Sequence, residues 1–371
     1  MKVNAPEILK SKTVLELPRG ENNPRNSEGD FAVLKDGSIL FAYCCYHGDS
    51  AHDDADCDIA GCISYDNGET FEKLPYKLAC ASEHGVKNIM SVSLERLKDG
   101  TLCLFYLCKV GPQSEVYFRR ALDDEKHFGE AEIFFSKKDG IYYVINNCRV
   151  CVLENGKVLI PAAIHKIVKH DDGRESGEYY GTCRVFSGDE KLKEMKELSD
   201  VLSLHNRGYS GTGLQEPGIV ELPDGRLYMY YRTDRCFQYE SFSSDDGATW
   251  TEPVQSRFTS PDSPMLIMRN KYSGIYYAVW NPVPNYNGRL DPNGRWVNAG
   301  RTPFVIAQSE NGIDFSQYTV LEDDKECGYC YPAIEFLNEN EMLISYCCGG
   351  PDDGMCLTKT RIRKIFLDKI K

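Results

Sequence analysis

No stretch of the chain approaches the roughly 20 consecutive apolar residues that a membrane-spanning helix needs, so no membrane partner is expected. The first twenty residues, MKVNAPEILKSKTVLELPRG, lack the apolar core of a secretory leader. With that absence the expected location is cytoplasmic, where thiols stay reduced. No basic run occurs either. Lys and Arg number 43 against 56 Asp and Glu, a formal net charge of −13, and a polyanion must be met by a basic field. Nucleic acid is therefore excluded as an expected partner. The 31 glycines and 17 prolines form no tract, which removes collagen-like and low-complexity classes. Helical periodicity is almost missing; its best candidate is Asp189–Leu198, DEKLKEMKEL, expected at the edge of a worn repeat.

What is present is an ordinary globular balance over 371 residues, 42% hydrophobic and 27% charged. The sixteen cysteines are many, but the neighbours Cys44-Cys45 and Cys347-Cys348 suit neither disulfide geometry nor secretion. Cys148/Cys151 and Cys327/Cys330 have C-x-x-C spacing in strand-like runs, where residues three apart face opposite sides. They read as buried free thiols rather than zinc ligands, and no metal or other cofactor is expected.

One pattern recurs six times: an apolar strand, a tight polar turn and a second apolar strand. The copies occupy 31–43, 93–106, 149–162, 218–232, 265–280 and 333–346. Turn glycines fall at 37, 100, 156, 225 and 274, with Asn340 in the sixth place. Asp-Gly and Asn-Gly supply the positive φ a hairpin turn requires, and asparagine is the next best residue there. Between hairpins a second motif repeats. Ser64-x-Asp66-x-Gly68-x-Thr70-Phe71 matches Ser243-x-Asp245-x-Gly247-x-Thr249-Trp250, with a worn copy at Ser309–Phe315. Its aspartate can bond its own turn while the aromatic fills the gap between sheets, a structural role. The expected fold is all-β: a six-bladed β-propeller of four-stranded antiparallel blades, one domain over 1–371. The segment 11–19 is expected to close the ring against C-terminal strands.

The first strand of each hairpin should lie innermost. Counting nine residues back from each turn, or eleven in the longer fifth copy, reaches Glu28, Ser91, Asn147, Glu216, Ser263 and Tyr331. Proline follows at 217, 264 and 332, which supports the register. Six polar residues at one level of a channel mark a site more readily than a core. Arg232 returns to the rim beside Glu216 on the antiparallel strand. Arg25 precedes the first strand, and Arg301 follows a loop holding Arg289 and Arg295. Arginine forks bind carboxylates.

These residues resemble the sialidase (neuraminidase) superfamily, through the Asp boxes and the run from Glu216 to Arg232. The resemblance implies Tyr331 as nucleophile, Glu216 as its base, and Arg25, Arg232 and Arg301 as the triad for a substrate carboxylate. It implies an acid/base aspartate on the loop after the first hairpin, Asp53 before Asp54 or Asp56. Glu28 and Asn147 join the substrate-binding candidates. A tyrosine nucleophile suits a sugar with a carboxylate on its anomeric carbon, where a charged nucleophile is repelled. The chain departs from the family at Arg25-Asn-Ser-Glu-Gly-Asp and at the proline after Tyr331, and Glu28 and Asp30 add carboxylates near the site. Alternate aspartates 54, 56 and 58 lack the glycine and distal glutamate of a calcium loop. The expected function is an exo-acting glycoside hydrolase on small glycans. Alternatives are a lyase or carboxylate-pair glycosidase (Glu28, Asp53, Glu216) on a uronic or neutral sugar, and a non-catalytic glycan-binding propeller. Oligomeric state is open.

Overall fold

The computed structural model describes residues 8–173, 175–177, 180–205, 210–284, 299–315 and 317–370. Arg289 and Arg295 lie outside them. Strand β1 (Lys12–Leu17) comes first but belongs to the last blade. Blade one is β2 (Asn26–Val33), β3 (Ile39–Tyr46), β4 (Cys57–Ser64) and β5 (Glu72–Ala79). Blade two is β6 (Ile89–Arg96), β7 (Leu102–Val110), β8 (Gln113–Ala121) and β9 (Phe128–Phe135). In blade three the inner position is split between β10 (Ile141–Val144) and β11 (Cys151–Val152). Both pair with β12 (Val158–Lys169), which also carries the short β13 (Glu175–Gly177) and leads to β14 (Thr182–Gly188) and β15 (Met195–Glu197). Blade four is β16 (Gln215–Glu221), β17 (Leu227–Arg232), β18 (Phe237–Ser243) and β19 (Val254–Thr259). Blade five is β20 (Leu266–Arg269), β21 (Tyr276–Trp280), β22 (Phe304–Ser309) and β23 (Thr319–Glu322). Blade six is β24 (Gly328–Phe336), β25 (Glu341–Gly349), β26 (Thr360–Phe366) and finally β1.

All pairings within the blades are antiparallel, as six propeller blades require. The first strand of each hairpin is innermost: β2 packs on β6 and β24, and β20 on β16 and β24. Lys12 opposes Lys364 and Leu17 opposes Thr360, so the ring closes with the N-terminal strand outermost in blade six. Apolar side chains between neighbouring blades merge, for example Leu159 and Val185 of blade three with Leu227 and Met229 of blade four. All sixteen cysteines are free thiols, and thirteen are buried. Among the described residues no three His, Cys, Asp or Glu side chains group as metal ligands would.

The turn glycines 37, 100, 156, 225 and 274 all have φ between 77° and 89°. Asn340 does not take the left-handed conformation expected of it. The sixth turn closes through a side chain: Asn338 Oδ1 accepts from the Asn340 amide at 2.8 Å, and Asn338 Nδ2 donates to Glu341 at 3.0 Å. The Asp boxes form as expected. Asp66 accepts from Ser64 Oγ (2.8 Å), the Thr70 amide (2.9 Å) and Thr70 Oγ1 (2.6 Å), and Gly68 sits against Leu343 of blade six. Asp189–Leu198 is no helix. Asp189 accepts from the Lys193 and Glu194 amides at 2.6 and 2.9 Å, and β15 then pairs with β14. A tertiary strand partner overrides the helix-forming composition, and the segment is the expected blade edge.

Candidate active site

Five blades carry the same device on the innermost strand. Glu28, Ser91, Cys148, Glu216 and Tyr331 have positive φ, between 45° and 60°. In blades one, two, four and six the strand register slips there, between Ser27 and Asp30, Met90 and Ser93, Gln215 and Gly218, and Cys330 and Ala333. A left-handed non-glycine residue costs roughly 1–2 kcal/mol. Such strain persists where surrounding structure enforces it, commonly at functional sites. The bulge re-aims the bulged side chain relative to its strand. The expected position is thus the bulged one in four blades; in blade five Ser263 lies before β20 without a positive φ, and blade three needs a shift of one. Blade three is a residue shorter, so Cys148 rather than Asn147 holds that position. Asn147 is 1% exposed, and its Nδ2 donates to Gly29 O at 2.8 Å and lies near the Tyr331 and Pro332 carbonyls (3.4 and 3.5 Å). Its amide nitrogen stitches blade three to blades one and six across the axis, while its Oδ1 is buried without a hydrogen-bond partner.

Tyr331 and Glu216 meet as expected. The phenol donates to Glu216 Oε1 at 2.9 Å, and Arg232 Nη1 donates to the same oxygen at 2.8 Å. Arg232 opposes Gln215 across the hairpin, which brings it back beside Glu216. Burial, reinforced by Glu216, pushes the Tyr331 hydroxyl well above its ordinary pKa, while Arg232 and Arg301 pull the other way. The phenol is therefore protonated and needs a base to become a nucleophile; Glu216 is in contact to serve. Arg301 stands 5.6 Å from the Tyr331 ring centre and donates to Cys330 Sγ (3.1 Å) and the Asp262 carbonyl (3.3 Å).

Arg25 is fully buried. It donates to Ser27 Oγ (2.8 Å), Glu28 Oε1 (2.6 Å) and Asp53 Oδ1 (2.5 Å), and lies over the Tyr46 ring. Arg301 Nη1 also lies 3.9 Å from Cys356 Sγ. Glu28 is 3% exposed, and burial raises its pKa to about 7 against the pull of Arg25. It positions Arg25. Asp30 is a latch rather than a site residue: it accepts from the Leu94 and Phe31 amides at 2.9 and 2.8 Å, tying blade one to blade two. Burial raises its pKa to about 7 as well.

The two loop aspartates separate. Asp53 joins Arg25, whereas exposed Asp54 pairs with Lys109 at 3.0 Å. Burial raises the Asp53 pKa, but Arg25 outweighs it and holds the carboxyl below its usual range. Asn88 Nδ2 (3.0 Å) and Lys109 Nζ (2.6 Å) both donate to the Asp53 carbonyl, fixing the loop. Asp58 turns away to His47 (2.9 Å) and the Ala81 amide (2.8 Å), so 54, 56 and 58 share no cation face. Sequence reasoning missed Asn88, Lys109 and Asp262. Asp262 Oδ1 accepts from Arg232 Nε at 2.6 Å. Its only signal was its place beside Ser263, inside the Pro261–Pro264 turn.

The chain matches the BNR repeat-like domain family over residues 43–342 and belongs to it. It is 31% identical over 147 residues to the anhydrosialidase of Macrobdella decora, 37% of this chain and 18% of that protein; the match thus spans under a fifth of the curated relative. The leech intramolecular trans-sialidase superposes with a TM-score of 0.71 at 12% identity, over 97% of this chain and 71% of that one. The NanB sialidase of Streptococcus pneumoniae gives 0.69 at 12%, over 97% and 71%. An α-L-arabinanase of Penicillium chrysogenum, complexed with arabinobiose, gives 0.63 at 14%, over 99% and 100%. At these identities the likeness is one of fold, a propeller shared with several glycosidases.

Proposed function

We propose that this protein is an exo-acting glycoside hydrolase that removes a terminal sialic-acid-type sugar from small glycans. The observation that carries the reading is the Tyr331–Glu216–Arg232 contact set, with the phenol 2.9 Å from its base. Tyr331 oxygen attacks the anomeric carbon as Glu216 takes its proton, and the glycosidic oxygen leaves with a proton from Asp53. Water, activated by Asp53, then breaks the tyrosyl–sugar bond, and Glu216 returns the proton to Tyr331. Asp53 begins as a carboxylate paired with Arg25. A substrate carboxylate drawn to the arginines weakens that pair, and without the pull of Arg25 the carboxyl more readily takes up the proton needed for leaving-group departure. Arg25, Arg232 and Arg301 orient the ring through that carboxylate.

Turnover of an aryl sialoside by wild type and Tyr331→Phe tests this. Loss of at least about a thousandfold in kcat is expected, with the folded state unchanged by circular dichroism. Wild-type rate in the variant refutes the nucleophile assignment. A second reading, hydrolysis of a neutral sugar, is favoured by one observation: Arg25 and Arg232 are already paired with protein carboxylates. Tyr331-dependent turnover of a neutral aryl glycoside and none of the sialoside selects it.

A further inference from the structure

A role for Asp262 rests on the hydrolase reading, in which Arg232 and Arg301 meet a substrate carboxylate. In this structure the two arginines already meet a carboxylate-bearing residue of the protein. Asp262 Oδ1 is 2.6 Å from Arg232 Nε, and its backbone carbonyl is 3.3 Å from Arg301 Nη2. The side chain is 23% exposed, more open than Arg232 at 13% or Glu216 at 7%. Its backbone is fixed. Gln238 Nε2 donates to Ser260 Oγ at 2.7 Å and to the Ser263 carbonyl at 2.8 Å, and Ser263 Oγ donates to Asn281 at 2.8 Å. A rotation about the Asp262 side-chain bonds therefore moves the carboxylate off Arg232 without disturbing the turn.

We infer that Asp262 is a specificity-determining residue: a built-in carboxylate on the arginine pair that an incoming sugar carboxylate must displace. The charge balance agrees. Among the described residues Arg25, Arg232 and Arg301 face Glu28, Asp53, Glu216 and Asp262, so the cup holds no cation in surplus for a second anion. Asp262 is tethered beside its partner, and tethering gives it a high effective concentration. A small acid offers Arg232 nothing that Asp262 lacks and loses the competition. A ligand wins only by adding contacts from the rest of its ring, so Asp262 restricts the arginines to carboxylates borne on a sugar that fits the cup.

Isothermal titration with the unsaturated glycal of N-acetylneuraminic acid, and separately with acetate, compares wild type, Asp262→Asn and Asp262→Ala. Asp262→Asn keeps the hydrogen-bonding shape and removes the charge. Both variants are expected to bind the glycal about tenfold more tightly, to gain measurable affinity for acetate, and to lower KM for an aryl sialoside with a smaller change in kcat. Unchanged or weaker binding in both variants overturns the role of Asp262 while the hydrolase reading stands, provided Tyr331→Phe still abolishes sialoside turnover. If no form binds the glycal, and Tyr331-dependent turnover is found on a neutral glycoside, the substrate reading and the role of Asp262 fall together.

Discussion

Glu28 gives the site a titration of its own. Burial raises its pKa to about 7, so it is neutral below that pH and charged above it. An anionic sugar should bind less well as pH rises through 7, because the charged Glu28 adds a fourth negative group beside the three arginines. Glu28→Gln should remove that limb from the KM–pH profile of an acidic substrate and leave a neutral substrate's profile unchanged. Stability has the same sign. A carboxyl whose folded pKa exceeds its unfolded value of about 4.3 contributes fully below that value, and the contribution is lost as pH rises through 7. Denaturation in urea at pH 5 and pH 8 should show Glu28→Gln gaining on wild type only at the higher pH. The identity of Glu28 was readable from its distance to Gly37. Its pairing with Arg25 was not, because the bulge that turns it inward leaves no mark on one-dimensional spacing.

At the scale of elements, the Asp boxes behave as turn clasps. Asp66 is held to about pKa 2, first by the Thr70 hydroxyl and then by the Thr70 amide, and is largely open to solvent. Its stabilising effect is present above the unfolded carboxyl pKa near 3.9 and is lost as pH falls towards 2. Asp66→Ala should cost about 1 kcal/mol in urea denaturation at pH 7 and leave kcat/KM unchanged. Equal loss of activity would tie the box to the site. The hairpins and boxes were legible because turn chemistry is local: Asp-Gly fixes a backbone angle wherever it stands. The single-residue deletion in blade three was not, and it shifted Asn147 one place off the bulge. DEKLKEMKEL misled for the converse reason, since helix-forming residues yield to a strand partner that composition does not name. Asn88, Lys109 and Asp262 act through partners 30 or more residues away, beyond what a motif can display.

At the scale of the molecule, ring closure joins Lys12 to Lys364 and buries Leu17 at 1% exposure and Leu9 at 6%. Removing residues 1–18 should lower stability by about 3–6 kcal/mol from those two leucines alone. Calorimetry should show a lower Tm, with sialoside turnover falling in step. A truncated chain of undiminished Tm would mean that β1 is ornamental. The strand that β1 completes belongs to blade six, whose inner edge carries Tyr331. The proposed nucleophile therefore sits in the one sheet that local chain segments cannot finish by themselves. Five blades are built from consecutive hairpins, whereas the sixth is completed by a contact across more than three hundred residues, the kind of non-local pairing that slows folding. On the proposed function, a chain that lacks this closure has an unfinished sheet beneath its nucleophile.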